Sequence, residues 1–109
     1  MNTQVSTKKI DFRDITGPVY TGRSRGESLR KEFNLDGIDS TDTIVDIEIP
    51  ESTYTISSSF FLGLFGPSVI KAGSKDKFFS RYHFSSAPFL KEVIDSYVLR
   101  ALQSRNLFI

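Results

Sequence analysis

The segment "TIVDIEIP", residues 43–50, restricts the possible folds of this chain more than any other stretch. Four β-branched aliphatic residues stand close together in it, and Pro50 closes the run. β-branched side chains favour strands, and a proline cannot continue the hydrogen-bonded ladder. We therefore predict a strand that is paired on both sides within a sheet. Successive side chains of a strand point to opposite faces. The face predicted to pack against a helix carries Val45, Ile47 and Ile49, and the wetter face carries Asp46 and Glu48.

The segment "APFLKEVIDSYVLRALQSR", residues 87–105, has the repeat of a helix. Its apolar residues recur at intervals of three and four, so they line one side of a helix. We predict a C-terminal amphipathic helix on this basis. The apolar positions are Leu90, Val93, Ile94, Tyr97, Val98, Ala101 and Leu102.

Shorter patterns predict three more elements. Charged and apolar residues alternate over residues 8–14, which indicates a strand. Ser24 and Glu27 have the spacing of a capping box, so we predict that Ser24 caps a helix. In "DKFFSRYHFSS", residues 76–86, aromatic residues lie an even number of positions apart, which also favours a strand. Strands that alternate with helices predict an α/β sandwich, with a four- or five-strand mixed sheet and about three helices.

Composition narrows the function classes. The 109 residues are the length of one domain, 1–109, of which we expect 1–7 to be a flexible N-terminal tail. Fourteen basic and thirteen acidic residues nearly balance, whereas nucleic-acid binders usually carry a larger excess of positive charge. The lack of cysteine excludes disulfides and thiolate catalysis. No signal-peptide-like start and no run of about 18 apolar residues is present, so we expect a cytoplasmic protein.

The segment "ISSSFFLGLFGPSVIKAG", residues 56–73, places three consecutive serines before the most hydrophobic part of the chain. It is long enough for a helix from Ser58 to Ala72, and Gly73 suits the position after a helix end. Pro67 falls inside that helix, so we expect a kink or two shorter helices. Because a helix that covers a sheet keeps one face free, we also expect some of its large apolar residues to be exposed.

Three pieces of the sequence, "TGRSRGESLR", "TIVDIEI" and "ISSSFFLGLFG", stand in an order that is known from one family. This order resembles that of the STAS domains, the fold of the anti-sigma-factor antagonists. It consists of a strand, a hydroxyl cluster, a glycine-containing apolar helix, a strand and a C-terminal helix. The chain looks closer still to the STAS-like family of unknown function. The resemblance runs from Ile10 to the end of the chain.

The resemblance implies a regulatory role for the serine cluster. In the antagonists, the helix after the buried strand begins with Asp-Ser, usually followed by Ser/Thr-Gly, and a partner kinase phosphorylates the first serine. That pattern puts Ser57 at the aspartate, Ser58 at the phosphoacceptor and Ser59 at the next hydroxyl. The sequence departs from it at Ser57 and at Phe60, which replaces the glycine. What the resemblance implies is a non-enzymatic protein–protein interaction module whose partner is a histidine-kinase-type ATPase or a similar switch protein.

Physical chemistry gives the same junction two interpretations. A helix N-terminus stabilises a phosphate electrostatically, and a phosphate adds about −1.5 to −2 charges to a docking surface. The simpler interpretation is that the serines only cap a helix. We expect a partner-contact surface, with Ser58 as the candidate phosphoacceptor. Its predicted members are Arg23, Arg25, Ser57, Ser58, Ser59, Phe60 and Phe61.

Other function classes have less support from the residues. The main alternative is a small inhibitor, encoded by a phage or mobile element, that blocks another macromolecule by steric or charge mimicry. His83 is the only histidine, and no Gly-x-Ser-x-Gly elbow accompanies it, so we do not expect an enzyme. We expect no metal and no cofactor. "GRSRGES", residues 22–28, lacks the ending of a P-loop and favours a turn before a helix.

Overall fold

The computed structural model describes residues 6–15, 19–51, 53 and 55–106. Within these residues, five strands and five α-helices share one hydrophobic core. The strands are β1 (Thr7–Asp11), β2 (Val19–Tyr20), β3 (Ile44–Glu48), β4 (Thr55–Ile56) and β5 (Tyr82–Ser85). The α-helices are α1 (Arg23–Phe33), α2 (Leu35–Asp39), α3 (Ser58–Ala72), α4 (Lys75–Arg81) and α5 (Pro88–Asn106), and a 3₁₀ helix spans Phe12–Asp14.

The main sheet has three strands in the order β1–β3–β5, with β3 in the centre. Ile47 is aligned with Ile10 of β1 and with Phe84 of β5, and both pairings are parallel. The prediction of a central strand is therefore confirmed, and its inner residues are buried while Asp46 is exposed. The prediction of a four- or five-strand mixed sheet with about three helices is wrong in these details. The main sheet has three strands, five α-helices are present in the described residues, and every strand pairing among those residues is parallel, including the separate pair of β2 and β4.

The helices cover one face of the main sheet. Strand order advances in one direction from β1 to β3 to β5, so connections of the same hand place their helices on the same side. Lys9, Asp46 and His83 are aligned across the opposite face, and all three are exposed. Parallel sheets are usually covered on both faces. In this sheet the second face carries charged side chains that pair with one another. Lys9 Nζ lies 3.6 Å from Glu48 Oε2, and His83 Nδ1 lies 3.5 Å from Asp46 Oδ1.

Two predicted elements differ from the structure. Residues 75–81 form α4, whereas the sequence pattern favoured one strand over 76–86. The Ser74 hydroxyl accepts a hydrogen bond from the Lys77 N–H and starts a helical turn, so only Tyr82–Ser85 enters the sheet. The first predicted strand ends at Asp11 and continues as a 3₁₀ helix.

The longest predicted apolar helix forms as a single element. α3 runs without a break from Ser58 to Ala72, with Pro67 inside it and Gly73 after it in the left-handed conformation, φ 86°. Nearly all of its large apolar residues are buried, so the expected free apolar face is limited to partly exposed Leu62 and exposed Ile70. Most of the predicted N-terminal tail, 1–7, lies outside the described residues, and Thr7 already belongs to β1. No helix in the described ranges is long and apolar enough to cross a membrane.

Candidate functional site

Two strand-to-helix junctions lie side by side. β2 leads into α1 and β4 leads into α3, and the two short strands pair in parallel. The pairing is extended by the backbone N–H of Ser57, which donates to the carbonyl oxygen of Tyr20 at 2.8 Å. The starts of α1 and α3 are therefore neighbours, and the segments that carry Arg23 and the three serines are brought to the same end of the sheet.

A glycine on each helix allows this close approach. Any Cβ atom on Gly26 would overlap the carbonyl oxygen of Phe60 and lie 2.8 Å from the backbone nitrogen of Leu64. In the same way, a Cβ on Gly63 would overlap the carbonyl oxygen of Arg23. Since these are backbone atoms, a side chain at either position would force the helices apart. The crossing of α1 and α3 thus depends on the absence of side chains at both residues.

The three serines have different roles. Ser57 is the N-cap of α3, and its Oγ accepts a hydrogen bond from the Phe60 N–H at 3.1 Å. Ser58 is the first residue of the helix and is half-buried, while Ser59 is exposed. The capping interpretation therefore holds for Ser57, and the next two residues lie at the helix N-terminus, Ser58 partly exposed and Ser59 exposed.

Phe60 and Phe61 lie in the core, with 0% and 1% of their surface exposed. The ring of Phe60 lies 5.6 Å from that of Tyr20, and the ring of Phe61 lies 5.6 Å from that of Tyr97. We therefore leave both phenylalanines out of the contact surface, because a buried ring cannot meet a partner unless the core opens. Their role in this structure is to anchor the first turn of α3.

The two predicted arginines take up different positions. Arg23 is exposed and is the first residue of α1, which begins two residues earlier than predicted. The N-cap is Gly22 at φ 94°, a conformation that favours glycine, and the predicted cap Ser24 lies inside the helix. The Arg25 guanidinium carbon lies 5.6 Å from the ring centre of Tyr20 and 5.7 Å from that of Phe60. Arg25 therefore brings positive charge to the first turn of α3.

A buried polar cluster was not predicted from the sequence. The carboxylate of Asp39 accepts hydrogen bonds from Ser68 Oγ at 2.5 Å, Tyr82 OH at 2.6 Å and Arg30 Nη2 at 3.1 Å. Arg30 also donates to Ser68 Oγ and to the carbonyl oxygen of Leu64. Burial, together with the bond to Asp39, raises the pKa of the Tyr82 phenol far above its ordinary value, so Tyr82 acts as a neutral donor.

Sequence offers no local signal for this cluster. Its directly hydrogen-bonded members are as much as 43 positions apart, and no spacing rule connects them. Arg30 falls in a segment of charged residues and Asp39 in a polar turn-like segment, so both suggest solvent exposure. Only the packing of α1, α2 and α3 against β5 brings them together.

The lone histidine lies away from the serine junction. His83 is on the exposed face of the sheet, where its Nε2 contacts the carbonyl oxygen of Ser80 at 3.1 Å and its Nδ1 faces Asp46. In the part of the chain that the structure describes, no group of three or more His, Asp or Glu side chains could hold a metal ion.

Comparison of the chain with protein-family models, curated proteins and solved structures finds no match.

Proposed function

We propose that the protein is a non-enzymatic regulatory module that binds another protein through the paired helix starts of α1 and α3. The proposed contact surface consists of Arg23, Arg25, Ser57, Ser58 and Ser59. The observation that supports it most is the position of the half-buried Ser58 and the exposed Ser59 at the N-terminus of α3, next to the arginine-bearing start of α1. The half-buried cap Ser57 holds that turn in place through its hydrogen bond with the Phe60 N–H.

Phosphorylation of Ser58 provides the regulation in this proposal. A phosphate at the first helical position faces unpaired backbone N–H groups and the positive end of the helix, so the domain itself tolerates it. The same phosphate changes a neutral docking surface into one with about −1.5 to −2 charges. A partner that desolvates this surface in the complex would then be released.

The STAS-like arrangement belongs to this proposal. The order of strand, serine junction, apolar helix and C-terminal helix supports it, and by that resemblance the partner is a histidine-kinase-type ATPase met in the cytoplasm. A purified ATPase partner should phosphorylate the protein on Ser58 in the presence of ATP. Mass spectrometry of the intact chain and of its peptides detects the modification, and a Ser58→Ala variant should stay unmodified.

Binding of charged variants tests the surface itself. Ser58→Asp places a carboxylate on the proposed interface, where leaving it unpaired and desolvated costs about 2 kcal/mol or more, which is over tenfold in affinity. Ser96→Asp is the matched control, because Ser96 is exposed on α5 and lies outside the surface. Calorimetry with a partner isolated by pull-down should show weaker binding only for Ser58→Asp. Equal affinity of Ser58→Asp and the parent protein would contradict the proposal.

A further inference from the structure

A cleft of about 320 Å³ opens at the far end of α3 from the serine junction. Its sides are lined by Lys71, near the end of α3, and by Lys77 and Arg81 of α4. Its polar floor consists of Asp39, Ser68 and Tyr82. Lys71 lies thirteen positions after Ser58 in the same helix, a rise of about 20 Å. The cleft is therefore distinct from the proposed contact surface. It lies where β3 and β5 begin, whereas the serine junction follows the ends of strands.

The floor of the cleft is fixed before any ligand arrives. Asp39 has its two carboxylate oxygens bound by Ser68 and Tyr82, and the Tyr82 ring stacks on Phe78 with ring centres 4.7 Å apart and planes 11° apart. All of these side chains are buried. A floor whose polar groups are already paired needs little reorganisation to receive a ligand, which lowers the free-energy cost of binding.

Arg81 holds one side of the cleft in place through hydrogen bonds. Its guanidinium donates to the carbonyl oxygens of Ile38 and Thr43, each at 3.1 Å, and also to that of Thr41. These carbonyls belong to the end of α2 and to the segment between α2 and β3. Arg81 therefore holds that segment against α4, and its positive charge is met by neutral dipoles rather than by a carboxylate.

The charge of the cleft is positive. Among the described residues Asp39 is the one acidic residue that lines it, and it is paired at 3.1 Å with Arg30, which also pairs at 2.7 Å with the exposed Asp36. Lys71 contacts only the hydroxyl of Ser40, at 3.4 Å, among the described residues. Lys77 has no hydrogen-bonded or ion-paired partner for its ammonium group in the same residues. Two exposed ammonium groups and Arg81 thus surround a rigid, partly apolar floor.

We infer that this cleft binds a small organic anion, with a phosphate or carboxylate group near Lys71 and Lys77 and a compact apolar body against Ala72. Its volume lies at the lower end of the range for small-molecule sites, so the ligand is small. The lysines supply charge and hydrogen-bond donors to the anionic group. The partly exposed side chain of Ala72 supplies the apolar contact, and the buried Phe78 ring supports the floor beneath it.

Titration with simple probes tests this site. Phenyl phosphate and benzoate carry the two anionic groups on the same planar body, and phenol is the neutral control. Amide resonances of Ala72, Phe78 and Ser80 should shift saturably with both anions, with a Kd on the order of 1 mM for fragments of this size. Phenol should produce no saturable shift. Either phenol binding as tightly as the anions, or no saturable shift with either anion, would overturn the inference.

Lysine variants locate the site. Lys71→Gln and Lys77→Gln should each weaken phenyl phosphate binding roughly fivefold, the effect of one solvated charge contact. Lys91→Gln is the matched control, since Lys91 is exposed on α5 and does not line the cleft. Unchanged affinity in both cleft variants, or shifts centred on Ser57–Ser59, would overturn the assignment to the cleft. Neither result bears on partner binding at the serine junction, which Ser58→Asp tests separately.

Discussion

Arg30 and Asp39 form an ion pair in the interior of the domain, with Arg30 Nη2 3.1 Å from Asp39 Oδ2 and side chains that are 8% and 5% exposed. Taking two charges out of water costs several kcal/mol for each ion, and only close pairing with further hydrogen bonds offsets it. Ser68 and Tyr82 supply those bonds to Asp39. The cluster therefore helps to fix how α1, α2, α3 and β5 pack together, because loss of Arg30 leaves the buried Asp39 carboxylate without a counter-charge.

Removing one charge of this pair should destabilise the domain strongly. Arg30→Ala leaves the Asp39 carboxylate buried without its counter-charge, and we expect a loss of about 3–5 kcal/mol in the free energy of unfolding. Lys9→Ala is the control, because the Lys9–Glu48 pair is solvent-exposed and its loss should change stability by less than about 1 kcal/mol. Urea unfolding followed by circular dichroism measures both. Similar losses in the two variants would show that the buried pair does not hold the helices together.

The double variant Arg30→Met/Asp39→Leu should be more stable than Arg30→Ala. Replacing both charges with apolar groups of similar volume leaves no uncompensated charge, and such replacements of buried pairs are often neutral or stabilising. The same urea experiment compares the two proteins. If the double variant lost as much stability as the single one, the packing of the Arg30 side chain, rather than its charge, would be responsible.

Replacing each of three glycines with alanine should affect stability differently, according to whether the glycine lies at the crossing of α1 and α3. At Gly26 or Gly63 the new methyl group would overlap backbone oxygen atoms, so we expect a loss of about 2 kcal/mol or more. Gly66→Ala is the matched control within α3, because its nearest new contact, Leu62 Cβ, lies at an ordinary 3.7 Å. Alanine is the better helix former by about 0.5–1 kcal/mol, so Gly66→Ala should not destabilise the protein. Equal thermal shifts for the three variants would contradict the close approach of α1 and α3.

Asp11 should titrate unusually low because of Arg13. The Arg13 side chain donates to both Asp11 oxygens, with Nε at 3.1 and 3.0 Å and Nη2 at 2.6 Å, and lowers the pKa of Asp11 from 3.8 to about 2. A carboxylate with a depressed folded-state pKa adds stability above its unfolded pKa, and this is lost as the pH falls from 3.8 toward 2. In Arg13→Met the midpoint of the Asp11 carboxyl ¹³C shift should return toward 3.8, with Arg13→Lys between the two. An unchanged midpoint in Arg13→Met would exclude Arg13 as the cause.

The elements with dense local patterns could be predicted from the sequence. β3 could be predicted because its β-branched residues and Pro50 agree with a central strand. α5 could be predicted because its apolar repeat extends over several turns. Gly73 was identified at the end of α3 because a left-handed residue is needed there. In each of these cases local preference and tertiary packing favour the same conformation.

The elements that were missed are short or ambiguous. α2 has five residues and contains Gly37, and β4 has two residues, so neither carries a period that could be read. α4 was taken for part of a strand because Phe78 and Tyr82, four residues apart, fit both a helix face and a strand face. The capping hydroxyl of Ser74 favours the helix. How much this cap stabilises the helix depends on the tertiary position of the turn, which the sequence pattern does not give.

The sequence predicted which chain segments form the candidate site, but not what each residue does there. The serine junction is at a helix start, as expected, and Arg23 lies at the start of the neighbouring helix. Which serine caps the helix could not be known, because that depends on the backbone angles of Ser57. The burial of Phe60 depends on the closeness of α1 and α3, which rests on two glycines 37 positions apart, and the burial of Phe61 depends on its packing against Phe84 and Tyr97.

The stability of three serine variants should separate the capping serine, Ser57, from Ser58, whose hydroxyl is not a cap. Ser57→Ala removes the acceptor of the Phe60 N–H, and loss of such a cap costs about 1 kcal/mol. The Ser58 hydroxyl makes no hydrogen bond within the described ranges, so Ser58→Ala should stay within about 0.5 kcal/mol of the parent protein. Ser58→Asp should be neutral or stabilising by a few tenths of a kcal/mol, because a negative charge at the first helical position interacts favourably with the helix dipole. Thermal unfolding of the three variants at low salt measures this order. A larger loss for Ser58→Ala than for Ser57→Ala would mean that Ser58 is the structural cap, and its hydroxyl would then not be free to accept a phosphate.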